Sequence, residues 1–261
     1  MQTFMEANAK YKDHLKVIQL TDMHLFSDQA QKLHGYCTHQ SLSDTIDLIN
    51  ASVDTPDFAL VTGDISQDKT TVSYQLALAQ FERLGVPVYW IHGNHDDESA
   101  IRPIFHASAH LKQLMHLSTP SWDFIALNTC RCGTNRGYLE ESELTSFWKK
   151  IATSQKNDRK IAVVMHHHPY PVATPLVDNC MLQESEQFLV QMNNTKEIKL
   201  IICGHVHGAY QISREKHTLE SCPATCFQWK TGTDKVVTED KRGFKVFDFY
   251  ADSYQSSVIF V

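Results

Sequence analysis

Ile198-Lys199-Leu200-Ile201-Ile202-Cys203 runs directly into Gly204-His205-Val206-His207-Gly208. A short, near-continuous apolar run rich in β-branched residues reads as a strand buried on both faces. It stops at two histidines spaced two apart, which an extended backbone presents on one side. The flanking glycines relieve crowding where backbone must approach a ligand. A structurally satisfied histidine pair would give the same string, so the segment's meaning depends on whether the pattern recurs.

It recurs four times upstream. Leu15–Leu20 leads into Thr21-Asp22-Met23-His24, and Phe58–Thr62 into Gly63-Asp64. Val86–Ile91 leads into His92-Gly93-Asn94-His95-Asp96, and Ile161–Met165 into His166-His167-His168-Pro169. A further apolar run, Phe124–Leu127, ends at Asn128. Helical stripes lie between the strands: Leu42, Ile46, Ile49, Val53; Tyr74, Leu78, Phe81, Leu84; and Leu144, Phe147, Trp148, Ile151. Gly85 closes the second at a C′ position. These stripes read as core. Strand–helix alternation specifies an α/β architecture, in which ligands gather beyond the carboxyl ends of strands. All five polar clusters occupy that position. Toward the C-terminus, Phe244–Val246 and Ser257–Val261, with a turn at 251–253, read as a β-rich meander completing a second sheet.

Bulk properties set the outer limits. The 261 residues carry no Pro/Gly/Ser-rich boundary, so one domain over 15–261 is expected, and 42% hydrophobic content supplies its core. Residues 1–14 mix polar and charged residues without an apolar h-region. They read as an N-terminal extension, a candidate for disorder rather than a signal peptide. A net charge of −6 with scattered basic residues argues against a nucleic-acid partner. The apolar runs are too short to span a membrane, so no membrane association is expected. Seven cysteines without framework spacing point to reduced thiols and a cytoplasmic setting. Cys130-x-Cys132 and Cys222-x3-Cys226 lack the partner pairs of a zinc site. No feature fixes an oligomeric state. Among the 15 histidines, His14, His39, His106, His110, His116 and His217 read as surface imidazoles.

The clusters have chemical readings beside plainer ones. Asp22 and His24 could reach one ion, or be a surface pair. Asp64 could bridge two cations through its two oxygens, or simply turn the chain. Asn94 offers a neutral oxygen ligand and His95 a proton, while Asp96 could accept from His95 and fix its tautomer. The segment Gly93–Asp96 could instead be a helix N-terminus capped by Asn94 or Asp96. In the histidine run, alternation places His166 and His168 on one side and His167 on the other.

As an ordered set, D-x-H, G-D, G-N-H-D, H and G-H-x-H over residues 15–210 resembles the calcineurin-like metallophosphoesterase superfamily. The resemblance implies a four-layer αββα sandwich of two mixed sheets flanked by helices. It implies Asp22, His24 and His207 as ligands of one metal, Asn94, His166 and His205 as ligands of a second, and Asp64 as the bridge. His95 would lie beside the scissile phosphate, and substrate contacts would fall on His24, Asp64, Asn94, His95 and His207. Nitrogen and oxygen ligands without thiolate suit Fe or Mn first, with Zn acceptable. A narrower resemblance, to bacterial class III 3′,5′-cyclic AMP phosphodiesterases, rests on His166–Val172, Pro223–Gln228 and Gly137-Tyr138-Leu139. It implies hydrolysis of cyclic AMP to 5′-AMP by a metal-bridging hydroxide attacking in line. Competing expectations are another small phosphate ester as substrate, such as a glycerophosphodiester or a nucleotide, and a non-catalytic metal-stabilised binding protein.

Overall fold

The computed structural model describes residues 14–261, so the expected N-terminal extension lies outside the described residues except for His14. The chain opens with β1 (Leu15–Leu20), a small hairpin of β2 (Lys32–Leu33) and β3 (Tyr36–Cys37), and helix α1 (Thr38–Ser52). Then come β4 (Phe58–Thr62), α2 (Thr71–Glu82), β5 (Val88–Ile91), α3 (Glu98–Phe105) and β6 (Leu111–Gln113). The second half contains β7 (His116–Ser118), β8 (Trp122–Ala126), α4 (Glu141–Lys156), β9 (Lys160–Met165), α5 (Pro175–Asp178) and α6 (Glu186–Asn194). It continues with β10 (Ile198–Cys203), β11 (Gln211–Ser213), β12 (Thr218–Ser221), β13 (Gln228–Trp229), β14 (Thr238–Glu239), β15 (Gly243–Phe249) and β16 (Tyr254–Phe260).

Two six-stranded sheets result, ordered β16-β15-β1-β4-β5-β6 and β11-β12-β10-β9-β8-β7. Both are mixed. β1, β4, β5 and β6 are parallel, as are β8, β9, β10 and β12, while β15, β16, β7 and β11 join antiparallel at the margins. Central strands carry apolar side chains on both faces, and the two faces enter different cores. From β1, Ile18 and Leu20 pack with Leu42 and Ile46 of α1 and Phe81 of α2. Val17 points the other way and packs with Phe124, Val164 and Ile202 of the second sheet. The outer face of that sheet, including Val163 and Ile201, packs on Phe147 and Ile151 of α4 and Met192 of α6. Three cores separate four layers, helix–sheet–sheet–helix.

The C-terminal strands correct one expectation. β15 pairs with β1 (Ile18 opposite Val246), so the β15–β16 hairpin extends the first sheet rather than completing the second. The second sheet is built from residues 116–221. Two of the supposed surface histidines also move inward. His217 is buried, stacks on Tyr170 and shares a hydrogen bond with its hydroxyl. The His116 imidazole is largely covered and lies 3.3 Å from buried Asp123.

Candidate metal centre

The carboxyl ends of β1, β4 and β5 from one sheet meet those of β9 and β10 from the other, and their polar clusters converge. Asp22, His24 and His207 form one group of donor atoms; Asp22, Asp64 and His166 form another. The Nε2 atoms of His24 and His207 face each other at 3.0 Å, and Asp22 Oδ1 lies 3.5 Å from His207 Nε2. Across the cleft, Asn94 Oδ1 lies 3.0 Å from both His166 Nε2 and His205 Nδ1. Asp64 Oδ2 stands between the two sets, 3.7 Å from His24 Nε2 and 3.4 Å from His166 Nε2.

The backbone reaches this arrangement through an unusual conformation. The strand-end segments are not extended. Asp22 (φ 54°), His24 (48°), Asp64 (53°), His205 (69°) and His207 (41°) are all left-handed. Asp and His tolerate that region better than most residues, but each such position costs about 1 kcal/mol or more. Neighbouring loops hold them: Asp22 N donates to Gly63 O, His24 N to Asp64 O, and His205 N to Asp22 Oδ2. Gly63 and Gly93 meet so closely that a Cβ on Gly93 would lie 2.1 Å from Asp64 Oδ1.

The remote ring nitrogens fix the tautomers. His166 Nδ1 donates to Thr62 O, His207 Nδ1 to Phe227 O, and His24 Nδ1 to Gln67 Oε1. Each interaction leaves Nε2 with its lone pair toward the cleft, the arrangement that orients a metal-binding imidazole. Electrostatics favour a cation there. Burial, with help from Asp64, pushes the Asp22 carboxyl up to about 7. Burial opposes charge on His166, but Asp64 and Asp22 outweigh it and raise the imidazole to about 9. A proton on His166 and a metal cation would compete for the same negative charge. Buried Asp22 Oδ1 has no hydrogen-bond partner, which also fits a cation ligand. The residues therefore fit a two-metal centre.

His95 is half-buried, with its ring edge-on to His24 at 5.0 Å and its amide donating to Asp64 Oδ1. Asp96 departs from the tautomer-fixing role expected of it. Its carboxylate accepts from the amides of Gly93, Ile65 and Ser66, tying the β5 loop to the β4 loop, because the tight turn at 93–96 points it back under the chain. His167 also departs from alternation. The chain bends after β9, and the His167 ring comes within 4.6 Å of that of His205. Both His167 nitrogens are engaged, by Thr129 Oγ1 and Asn135 O. His168 is paired with Asp178.

The sequence profile of the calcineurin-like phosphoesterases matches residues 15–209. The chain belongs to that family. This calcineurin-like phosphoesterase is 30% identical to a probable cyclic nucleotide phosphodiesterase of Coxiella burnetii, over 95% of this chain and 98% of the relative. It is 27% identical to a 3′,5′-cyclic adenosine monophosphate phosphodiesterase of Pseudomonas aeruginosa, over 85% and 80%. Among solved structures, a dimetal phosphatase from Danio rerio shares the fold at a TM-score of 0.69 and 12% identity, over 95% and 98%. No helix among the described residues of this phosphoesterase is long and apolar enough to cross a membrane.

A cavity of about 220 Å³ opens beside the centre, lined by His24, Asp64, Asn94, His95, His205 and His207. Its lining also takes in Gln67, Asn135 and Trp229, to which sequence reading gave no role. Only Gln67 had a usable signal, lying three residues beyond Asp64 in the same loop.

Proposed function

We propose that the chain is a dinuclear metal-dependent phosphodiesterase that opens 3′,5′-cyclic AMP to 5′-AMP. The observation that carries the metal assignment is the placement of Asp64 Oδ2 between two donor sets, within 3.7 Å of one and 3.4 Å of the other. Asp22, His24 and His207 would hold one ion, and Asn94, His166 and His205 the second, with Asp64 shared. Iron or manganese is the preferred pair, with zinc as a further choice, since every donor is nitrogen or oxygen. Bound divalent ions would supply charge neutralisation at phosphorus and a water of lowered pKa.

The chain's own groups do the rest. His24, Asp64, Asn94, His95 and His207 line the cavity and would contact the phosphodiester. His95 lines the cleft, its amide donating to Asp64 Oδ1, and would give a proton to the departing ester oxygen. Asp96 acts through the loop it ties down. The names borne by the Coxiella and Pseudomonas relatives support a cyclic nucleotide over other phosphate esters. The small cavity and net charge of −6 suit a small-molecule substrate rather than nucleic acid. Free thiols at all seven cysteines support a cytoplasmic setting, and we read residues 15–261 as one catalytic unit.

The deciding experiment incubates purified protein and Mn²⁺ or Fe²⁺ with cyclic AMP and, separately, with bis(p-nitrophenyl) phosphate. Both are expected to turn over. Cleavage of the aryl diester with no 5′-AMP from cyclic AMP would overturn the substrate and leave the reaction class standing.

A further inference from the structure

The cavity at the metal centre has a second arm that phosphate chemistry does not explain. Away from the carboxylates its walls become apolar and aromatic: Leu33, His34, Leu176, Trp229 and Val236. Trp229 lies against His207 with ring centroids 5.2 Å apart, so the arm begins where the metal donors end. His34 stands edge-on to both Trp229 (5.5 Å) and Phe227 (5.4 Å).

The hairpin that carries His34 is shaped against its own preference. Leu33 pairs with Tyr36, leaving His34 (φ 49°) and Gly35 (φ 92°) as a two-residue turn with both residues left-handed. Asn-Gly is the favoured occupant of such a turn, because asparagine adopts positive φ cheaply. Histidine there accepts strain while projecting a ring to the cavity, and local strain of this kind collects at ligand sites. Val236 also lines the cavity and is 61% exposed, so an apolar side chain stands uncovered there.

We propose that this arm is the subsite for the purine ring of the substrate, with Trp229 as the stacking platform and His34 and Val236 enclosing the ring's free edge and face. The proposal rests on the cyclic AMP reading above. An aromatic and apolar wall continuous with the lining that holds the metal donors suits a planar heterocycle attached to the phosphodiester. Stacking of one base on an aromatic side chain strengthens binding by about tenfold or more. The subsite sets affinity, while the metal donors and His95 set the rate.

Steady-state kinetics on His34→Asn, Trp229→Leu and Trp229→Phe tests it, with thermal midpoint and bound-metal content as checks of folding. His34→Asn suits the turn better than the native residue, so it isolates the ring. KM for cyclic AMP is expected to rise about tenfold in His34→Asn and Trp229→Leu, with kcat changed far less. Trp229→Phe should recover most of the loss. Unchanged KM in both His34→Asn and Trp229→Leu, in a protein whose wild type hydrolyses cyclic AMP, overturns the subsite. A wild type that cleaves aryl diesters but no cyclic nucleotide overturns the underlying reading instead.

Discussion

His95 and the five left-handed residues show how much of the centre is decided one side chain at a time. His95 comes close to His24 and Asp64 but belongs to neither of the two proposed ligand sets, so His95→Ala should leave both metals bound. Turnover should fall about 10²–10⁴-fold, the range for loss of a general acid; kcat measured beside metal content checks this, and equal activity would remove the proton-donor role. The identities of the converging residues were legible because each follows an apolar strand. Their conformations were not. Alternation along an extended chain paired Asp22 with His24 correctly but for the wrong reason, since both have positive φ. It misplaced His167 because the backbone bends there. The partners that fix tautomers, Gln67 and the Phe227 carbonyl, lie 43 and 20 residues from the histidines they orient, beyond any local pattern.

Elements are joined by polar contacts as well as by the three apolar cores. Glu220 of β12 is buried and accepts from Lys245 Nζ of β15 at 2.8 Å, and from Tyr254 and Ser256 of β16, pinning the margins of the two sheets together. Glu220→Ala strands a buried ammonium and should cost about 3–5 kcal/mol. The double change Glu220→Leu with Lys245→Met should regain most of it. Urea midpoints decide, and an unshifted Glu220→Ala would deny the pair any structural role. At the start of α2, burial works against the charge on Asp68, but hydrogen bonds from Ser27 and Thr70 outweigh it and hold the carboxyl well below its usual range. A depressed value stabilises the fold above the unfolded carboxyl's titration near pH 4, and that contribution is lost as pH falls through the folded value. Asp68→Asn should therefore flatten the acid limb of the stability–pH curve while narrowing its difference from wild type as pH drops. The central strands and helices α1, α2 and α4 were readable from periodicity, while the short strands and helices α3, α5 and α6 carried no such signal. Which sheet β15 and β16 join was not, because an amphipathic strand does not encode its neighbour.

At the scale of the molecule, the donors are divided between the sheets: Asp22, His24, Asp64 and Asn94 follow strands of one, His166, His205 and His207 strands of the other. Ions held among them would cross-link the two halves. Cations at 1,000 times their dissociation constant would add about 4 kcal/mol to stability. Stripping them with EDTA should lower the melting temperature by on the order of ten degrees. A melting curve indifferent to chelation, with metal loss verified, would mean the ions do not couple the sheets.

The pairing of β1 with β15 has a consequence on the ribosome. Ile18 cannot meet Val246 until more than two hundred further residues have been added. At roughly 5–20 residues per second, the nascent chain carries one bare strand margin for about ten to fifty seconds. During that interval the emerging protein is open to pairing with a neighbour's strand, and closure of that margin falls to the β15–β16 hairpin.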